Sequence, residues 1–238
     1  MPDRETTTAP LEQELKPSQT KRVAPAVLTI DLEDYYQVSA FNGVVRPEDW
    51  SWYPSRVERN VERLLDLFDE YGVKATWFTL GWEATRRGSM VRKVAERGHE
   101  VACHSYWHRE VWRLAPDEFA RDTRDAKQAV EDAAGVPVRG YRAPSFSIRH
   151  DSLWALPLLA EAGFTYDSSL MGSDYVPYRA RRGDVAKLGE PYHFGEQTKL
   201  IEMPISWSLD DYPHFGFVRT QSTILAAMQP ARVVLQNW

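Results

Sequence analysis

Short apolar runs alternate with amphipathic stretches through the middle of this chain, and that alternation limits the folds open to it more than any other feature. Residues 26–31 (AVLTID) read as a buried strand. A helical pattern follows, opened by a capping box from Ser55 to Glu58, with Val57, Val61, Leu64, Leu65 and Phe68 on one face and a stop at Gly72. Residues 74–80 are rich in β-formers and predict a second strand. A helix over about 90–97, closed by Gly98, leads into a short strand over 100–103. Pro116 opens a charged amphipathic helix with Phe119, Ala126 and Val130 turned inward, ending near Gly135. Residues 138–142 predict a strand, 151–162 a helix stopped by Gly163, and 164–167 another strand. Pro157 should kink that helix or delay its start, because proline lacks the amide hydrogen a helix interior needs. At least four strand and helix alternations at short spacing predict parallel βαβ units with right-handed crossovers, an α/β fold.

Beyond Asp167 the pattern loosens, and Gly172, Pro177, Gly183 and Gly189 mark a long loop region. Residues 200–207 read as a further strand, followed by a loop with Asp210, Asp211 and His214 that lines a cleft. The last residues, 231–238, start like a buried strand and stop. Residues 1–25 are polar and aperiodic and read as a disordered tail, leaving one domain over 26–238.

In parallel α/β folds ligands collect at the C-terminal ends of the strands. Asp31, Glu33, Asp34, His104, His108, Arg142 and Asp167 all fall at such ends. Three carboxylates in four residues after an apolar strand are costly to bury ionised, and a divalent cation is the simplest counter-charge. His104 and His108 supply imidazoles at metal-ligand spacing. Alone, that spacing also describes two half-exposed histidines bonded to nearby backbone. The meeting of residues more than a hundred positions apart on one rim favours a functional metal site.

Composition excludes several function classes. The 238 residues carry a net charge of -5 and no basic run, which gives no footprint for nucleic acid or an anionic membrane surface. No stretch is long and apolar enough for a transmembrane segment, and the N-terminus lacks a signal-peptide pattern, so a cytoplasmic location is expected. The single cysteine, Cys103, cannot form an internal disulfide and reads as a small buried residue. Nine tryptophans and eleven tyrosines offer flat faces that suit sugar rings as well as a core.

Taken jointly and in order, the segments 29–34 (TIDLED), 104–108 (HSYWH), 141–144 (YRAP) and 166–170 (YDSSL) resemble the polysaccharide deacetylases, the NodB homology domain of carbohydrate esterase family 4. Segments 74–78 (KATWF), 98–101 (GHEV), 201–204 (IEMP) and 207–211 (WSLDD) are similar to the peptidoglycan-deacetylase-like and allantoinase-like subgroup. The resemblance covers about residues 26–217. It implies a distorted, incomplete (β/α) barrel and metal-dependent hydrolysis of an N-acetyl group on a carbohydrate, with small amides as the alternative substrate. It further implies that Asp31 is the catalytic base, Arg142 orients it, and His104 and His108 bind one divalent ion, expected to be zinc. The acidic ligand is read as Asp34, with Glu33 as the alternative, because the family pattern has adjacent aspartates at this point. A backbone N–H near Ser145 would hold the oxyanion, and Asp167, Trp207 and Asp211 would contact substrate. The family's C-terminal strand with its histidine general acid has no counterpart before Trp238, so the domain reads as C-terminally incomplete. A non-catalytic remnant that binds metal or sugar is the third reading, and a homo-oligomer is left open.

Overall fold

A computed structural model describes residues 27–170, 178–181, 185–187, 190–192 and 197–203. Five strands run parallel in sequence order: β1 (Leu28–Leu32), β2 (Ala75–Thr79), β3 (Glu100–Cys103), β4 (Gly140–Tyr141) and β5 (Tyr166–Asp167). β6 (Tyr178–Arg181), β7 (Val185–Lys187), β8 (Glu190–Tyr192) and β9 (Gln197–Glu202) follow. β9 joins as the sixth parallel strand beside β5, and β6 adds an antiparallel edge, giving the order β1-β2-β3-β4-β5-β9-β6. β7 and β8 form a separate antiparallel pair. The α/β expectation therefore holds. The region read as one long loop carries strands, and β9 starts earlier than the expected 200–207 segment.

Helices α1 (Val57–Glu70), α2 (Gly81–Arg86), α3 (Gly88–Glu96), α4 (Pro116–Ala134) and α5 (Ala155–Glu161) connect the strands. Their apolar stripes match the sequence periodicity. Val57, Val61, Leu65 and Phe68 of α1 are buried, as are Phe119, Ala126 and Val130 of α4. Each fully covered Leu or Phe contributes roughly 1.5–3 kcal/mol. Gly135 ends α4 in the left-handed conformation, with φ 74°. α5 starts late, at Ala155, so that Pro157 falls in its first turn, where the missing N–H matters least. The α2 turn went unread because it is one short piece without a full period. Among the described residues no helix is long and apolar enough to cross a membrane.

Register decides which side chains share a face. Leu32, Thr79, Cys103, Tyr141, Asp167 and Glu202 pair in one row across the six parallel strands. This row faces the helices: Tyr141 packs on Phe119 and Phe164 with ring centroids 5.9 and 5.5 Å apart. Side chains alternate along a strand, so the residues before and after that row point to the opposite, inner face. Asp31, Phe78, Gly140 and Tyr166 lie just before it, and Glu33, His104, Arg142 and Ser168 just after. The inner face is curled: the rings of Phe78 on β2 and Tyr166 on β5 are 6.5 Å apart, although three strand spacings on a flat sheet would separate them by about 14 Å. Gly140 permits this approach, since a Cβ there would lie 2.0 Å from the Tyr166 ring. The sheet is curled but open among the described residues, an incomplete barrel.

Candidate metal and catalytic site

Asp31 and Glu33 leave β1 on the inner face, two residues apart. Glu33 Oε2 lies 2.7 Å from His108 Nε2 and 3.9 Å from His104 Nε2, while Asp31 Oδ2 lies 3.9 Å from His104 Nε2. One ligand atom from each of Glu33, His104 and His108 falls within 4.8 Å of the others. His104 and His108 are buried.

The tautomer of His104 follows from its partner. His104 Nδ1 is 2.8 Å from the Arg142 carbonyl oxygen, which only accepts, so Nδ1 carries the proton and Nε2 presents its lone pair inward. Burial lowers the His104 pKa, more than Asp31 and Glu33 raise it, and keeps the ring neutral as a ligand must be.

His108 is brought alongside by a pinned loop. Ser105 and His108 take left-handed backbone angles, φ 65° and 52°, and the His108 N–H donates to Ser105 Oγ at 3.1 Å. Gly81 N donates to Ser105 O, and Asp122 Oδ2 on α4 accepts from Tyr106 N, both at 2.9 Å. Gly81 has to be small, because a Cβ would lie 2.5 Å from Tyr106 Cδ2 and 2.9 Å from Ala126 Cα.

Arg142 ties the inner face together. Its Nη1 donates to Asp31 Oδ1 at 2.9 Å and to Thr29 Oγ1 at 3.0 Å. Its Nη2 donates to Ser168 Oγ at 3.0 Å and its Nε to Ser168 O at 3.3 Å. The guanidinium lies 4.0 Å over the Phe78 ring on the way to β1. Arg142 is 5% exposed, so the Asp31 carboxylate is aimed by a fixed charge. Thr29, Phe78 and Ser168 were not singled out from sequence. Alternation along their strands carries the signal for Thr29 and Ser168.

Two expected site residues lie elsewhere. Asp34 does not join the histidines, and Glu33 takes that place: Asp34 is the next residue on, so alternation points it away, and its carboxylate bonds to Ser55 Oγ and to the amides of Arg56 and Val57. The capping box read at Ser55 is corrected by the same bonds, since the first turn of α1 is capped by Asp34 rather than by Ser55. Asp167 belongs to the helix-facing row and is fully buried, with Oδ1 accepting from Ser169 Oγ at 2.6 Å; burial raises its pKa. It therefore cannot touch substrate in the cleft. Ser145 is exposed at the rim, with φ 52° and its Oγ 2.6 Å from Ser39 Oγ. Trp207, Asp211 and His214, the tail over 1–25 and the final segment over 231–238 lie outside the described residues.

Beside His108 opens a cleft of about 290 Å³ whose walls include Tyr36, Trp50 and Trp107. Trp50 and Trp107 have ring centroids 6.1 Å apart, and Trp107 is 37% exposed.

Comparison with known proteins agrees with this architecture. The family model described as polysaccharide deacetylase matches residues 49–166. A peptidoglycan deacetylase of Helicobacter pylori is 29% identical over 203 residues, covering 81% of this chain and 68% of that protein. A peptidoglycan deacetylase-like protein of Gibberella zeae is 29% identical over 170 residues, and the match spans 66% of this chain but about half, 49%, of that protein. A crystal structure from Mycobacterium smegmatis, assigned to the polysaccharide deacetylases, superposes with a TM-score of 0.61 at 30% identity, covering 89% of this chain and 71% of that one. The chain belongs to the polysaccharide deacetylase family, a family of carbohydrate deacetylases.

Proposed function

We propose that this chain removes N-acetyl groups from a glycan by metal-dependent hydrolysis, with Glu33, His104 and His108 holding one divalent ion and Asp31 acting as base. The observation that carries the proposal is the facing of those three donors across the rim with the Asp31–Arg142 pair at 3.9 Å from His104. Two imidazoles and one carboxylate fit zinc and leave a coordination position open. The buried Glu33 Oε2 makes no well-formed hydrogen bond among the described residues, and its near neighbour is the His108 Nε2 at 2.7 Å, an approach that suits two donors meant to share a cation.

A divalent ion held there supplies Lewis acidity, lowering the pKa of water from 15.7 to roughly 7 and polarising a carbonyl oxygen. Asp31 takes the proton of the attacking water, and Arg142, donating to its Oδ1 at 2.9 Å, keeps that carboxylate aimed. Attack on the acetamide carbonyl forms a carbon–oxygen bond, the proton held by Asp31 passes to the nitrogen as the carbon–nitrogen bond breaks, and the acetic acid gives its own proton to the freed amine, so that acetate and the protonated amine leave. The neighbouring Trp107 face suits the apolar side of a sugar ring next to the reacting one. The named activities of the Helicobacter and Gibberella relatives support peptidoglycan-type N-acetyl sugars as the substrate class.

Acetate release from an N-acetylglucosamine oligomer tests this, measured with zinc, with chelator, and for Asp31→Asn and Glu33→Gln. Release should require zinc, and Asp31→Asn should fall by about 10²–10⁴-fold with zinc still bound. Zinc-independent release, or full activity in Asp31→Asn, would sink the proposal.

A further inference from the structure

We propose that Asp34 is a positioning residue for the metal site: by capping α1 from the end of β1, it makes Glu33 the carboxylate that faces His104 and His108. This rests on the metal reading above. The sequence offers two adjacent carboxylates, and the structure shows why they do different work.

The Asp34 carboxylate is engaged by four donors. Oδ1 accepts from the Tyr35 N–H at 2.9 Å. Oδ2 accepts from Ser55 Oγ at 2.7 Å, Arg56 N at 2.8 Å and Val57 N at 3.2 Å. Three donors converge on Oδ2 and one reaches Oδ1, which commits the carboxylate to the α1 terminus and its own turn and leaves at most one lone-pair site, on Oδ1. The main chain is held as firmly: Asp34 N donates to Gln37 Oε1 at 2.6 Å, and Gln37 N donates to Asp34 O at 2.9 Å. Asp34 and Gln37 are 3% and 1% exposed, so water does not compete for these bonds.

The first turn of any helix has amides without intrahelical partners and favours negative charge. In α1 the cap residue, Arg56, makes no side-chain cap of its own, and Asp34 supplies the acceptor from 22 residues upstream. The peptide joining Glu33 to Asp34 is thereby clamped between β1 on one side and the α1 terminus on the other. Glu33 has no comparable set of donors: its Oε2 makes no well-formed hydrogen bond among the described residues and meets only the site histidines, His108 Nε2 at 2.7 Å and His104 Nε2 at 3.9 Å. Its direction is inherited from the backbone that Asp34 holds. Outer-shell residues of this kind typically change metal affinity by 10–100-fold.

The test is zinc titration of metal-free protein by calorimetry, well below the unfolding temperature, with amide exchange at Arg56 and Val57 as a metal-independent readout. Asp34→Ala should weaken zinc by about 10–100-fold and speed exchange at both amides. Asp34→Asn retains an acceptor oxygen for the α1 amides and should recover most of that affinity. Val61→Ala, which weakens the same helix without touching Asp34, should leave zinc affinity unchanged. The inference is overturned if Asp34→Ala binds zinc as wild type does, or if Val61→Ala loses as much affinity as Asp34→Ala. It is equally overturned if Asp34→Asn loses zinc as completely as Glu33→Gln, which would make Asp34 itself a ligand. Wild-type protein that takes up no zinc would instead refute the metal reading, and this inference with it.

Discussion

Replacing Arg142 by methionine keeps much of the side chain's length and removes its charge. The substitution deletes four hydrogen bonds of 2.9–3.3 Å, to Asp31, Thr29 and twice to Ser168, together with the stacking on Phe78. Adding four charge-assisted bonds at full value would overshoot, because the partners share one guanidinium and relax together. Breaking a buried ion pair from one side typically costs 3–5 kcal/mol. The side chain of Asp31 is 29% exposed and can partly rehydrate, which places the loss near the lower end, about 3 kcal/mol. That is about a hundredfold in the folded-to-unfolded ratio, or roughly 6–12 °C in Tm for a chain of this size. Metal-free wild type, Arg142→Met, Asp31→Asn and the double variant, followed by circular dichroism in urea and on heating, close a double-mutant cycle. The Arg142–Asp31 coupling should be about 1–3 kcal/mol. A Tm loss under about 2 °C for Arg142→Met, or a coupling of zero, would refute the reasoning that this pair organises the inner face.

Two further outcomes follow from packing and burial. His99 is buried, its Nδ1 accepts the Ala75 amide at 3.1 Å, and desolvation lowers its pKa. A histidine with a depressed folded pKa contributes stability that is present above its unfolded value, about 6.5, and lost as the pH falls through the folded one. The urea midpoint of metal-free protein should therefore drop more between pH 7.5 and pH 5 in wild type than in His99→Asn; equal drops would dismiss the role of His99. Gly81→Ala places a Cβ 2.5 Å from the Tyr106 ring and 2.9 Å from the α4 backbone, and should destabilise by roughly 1–3 kcal/mol. A melting temperature equal to that of wild type would show that the α2–α4 contact yields without strain.

Much of the site was legible because strand ends are legible. An apolar run followed by polar residues marked where β1, β3 and β4 deliver Asp31, His104 and Arg142, and helix-stopping glycines set the intervals between them. The choice between Glu33 and Asp34 was legible too, had period-two alternation been carried past the end of β1: it puts Asp31 and Glu33 on one face and Asp34 on the other. The same rule separates Arg142 and Ser168 from Tyr141 and Asp167. Adjacent aspartates in the resembled pattern outweighed that simpler geometric signal.

The sequence by itself determined the alternation of strands and helices as far as Asp167, apart from the short α2, the buried stripes of the longer helices and the residue types that meet at one rim, since these depend on local periodicity and on chain direction. Only the tertiary structure decided that the sheet curls enough for Arg142, just past β4, to reach Asp31 on β1, and that Asp34 caps a helix beginning 23 residues further along, at Val57. Both are hydrogen bonds between distant segments, and their existence depends on strand register and curvature, which no local pattern of residues specifies.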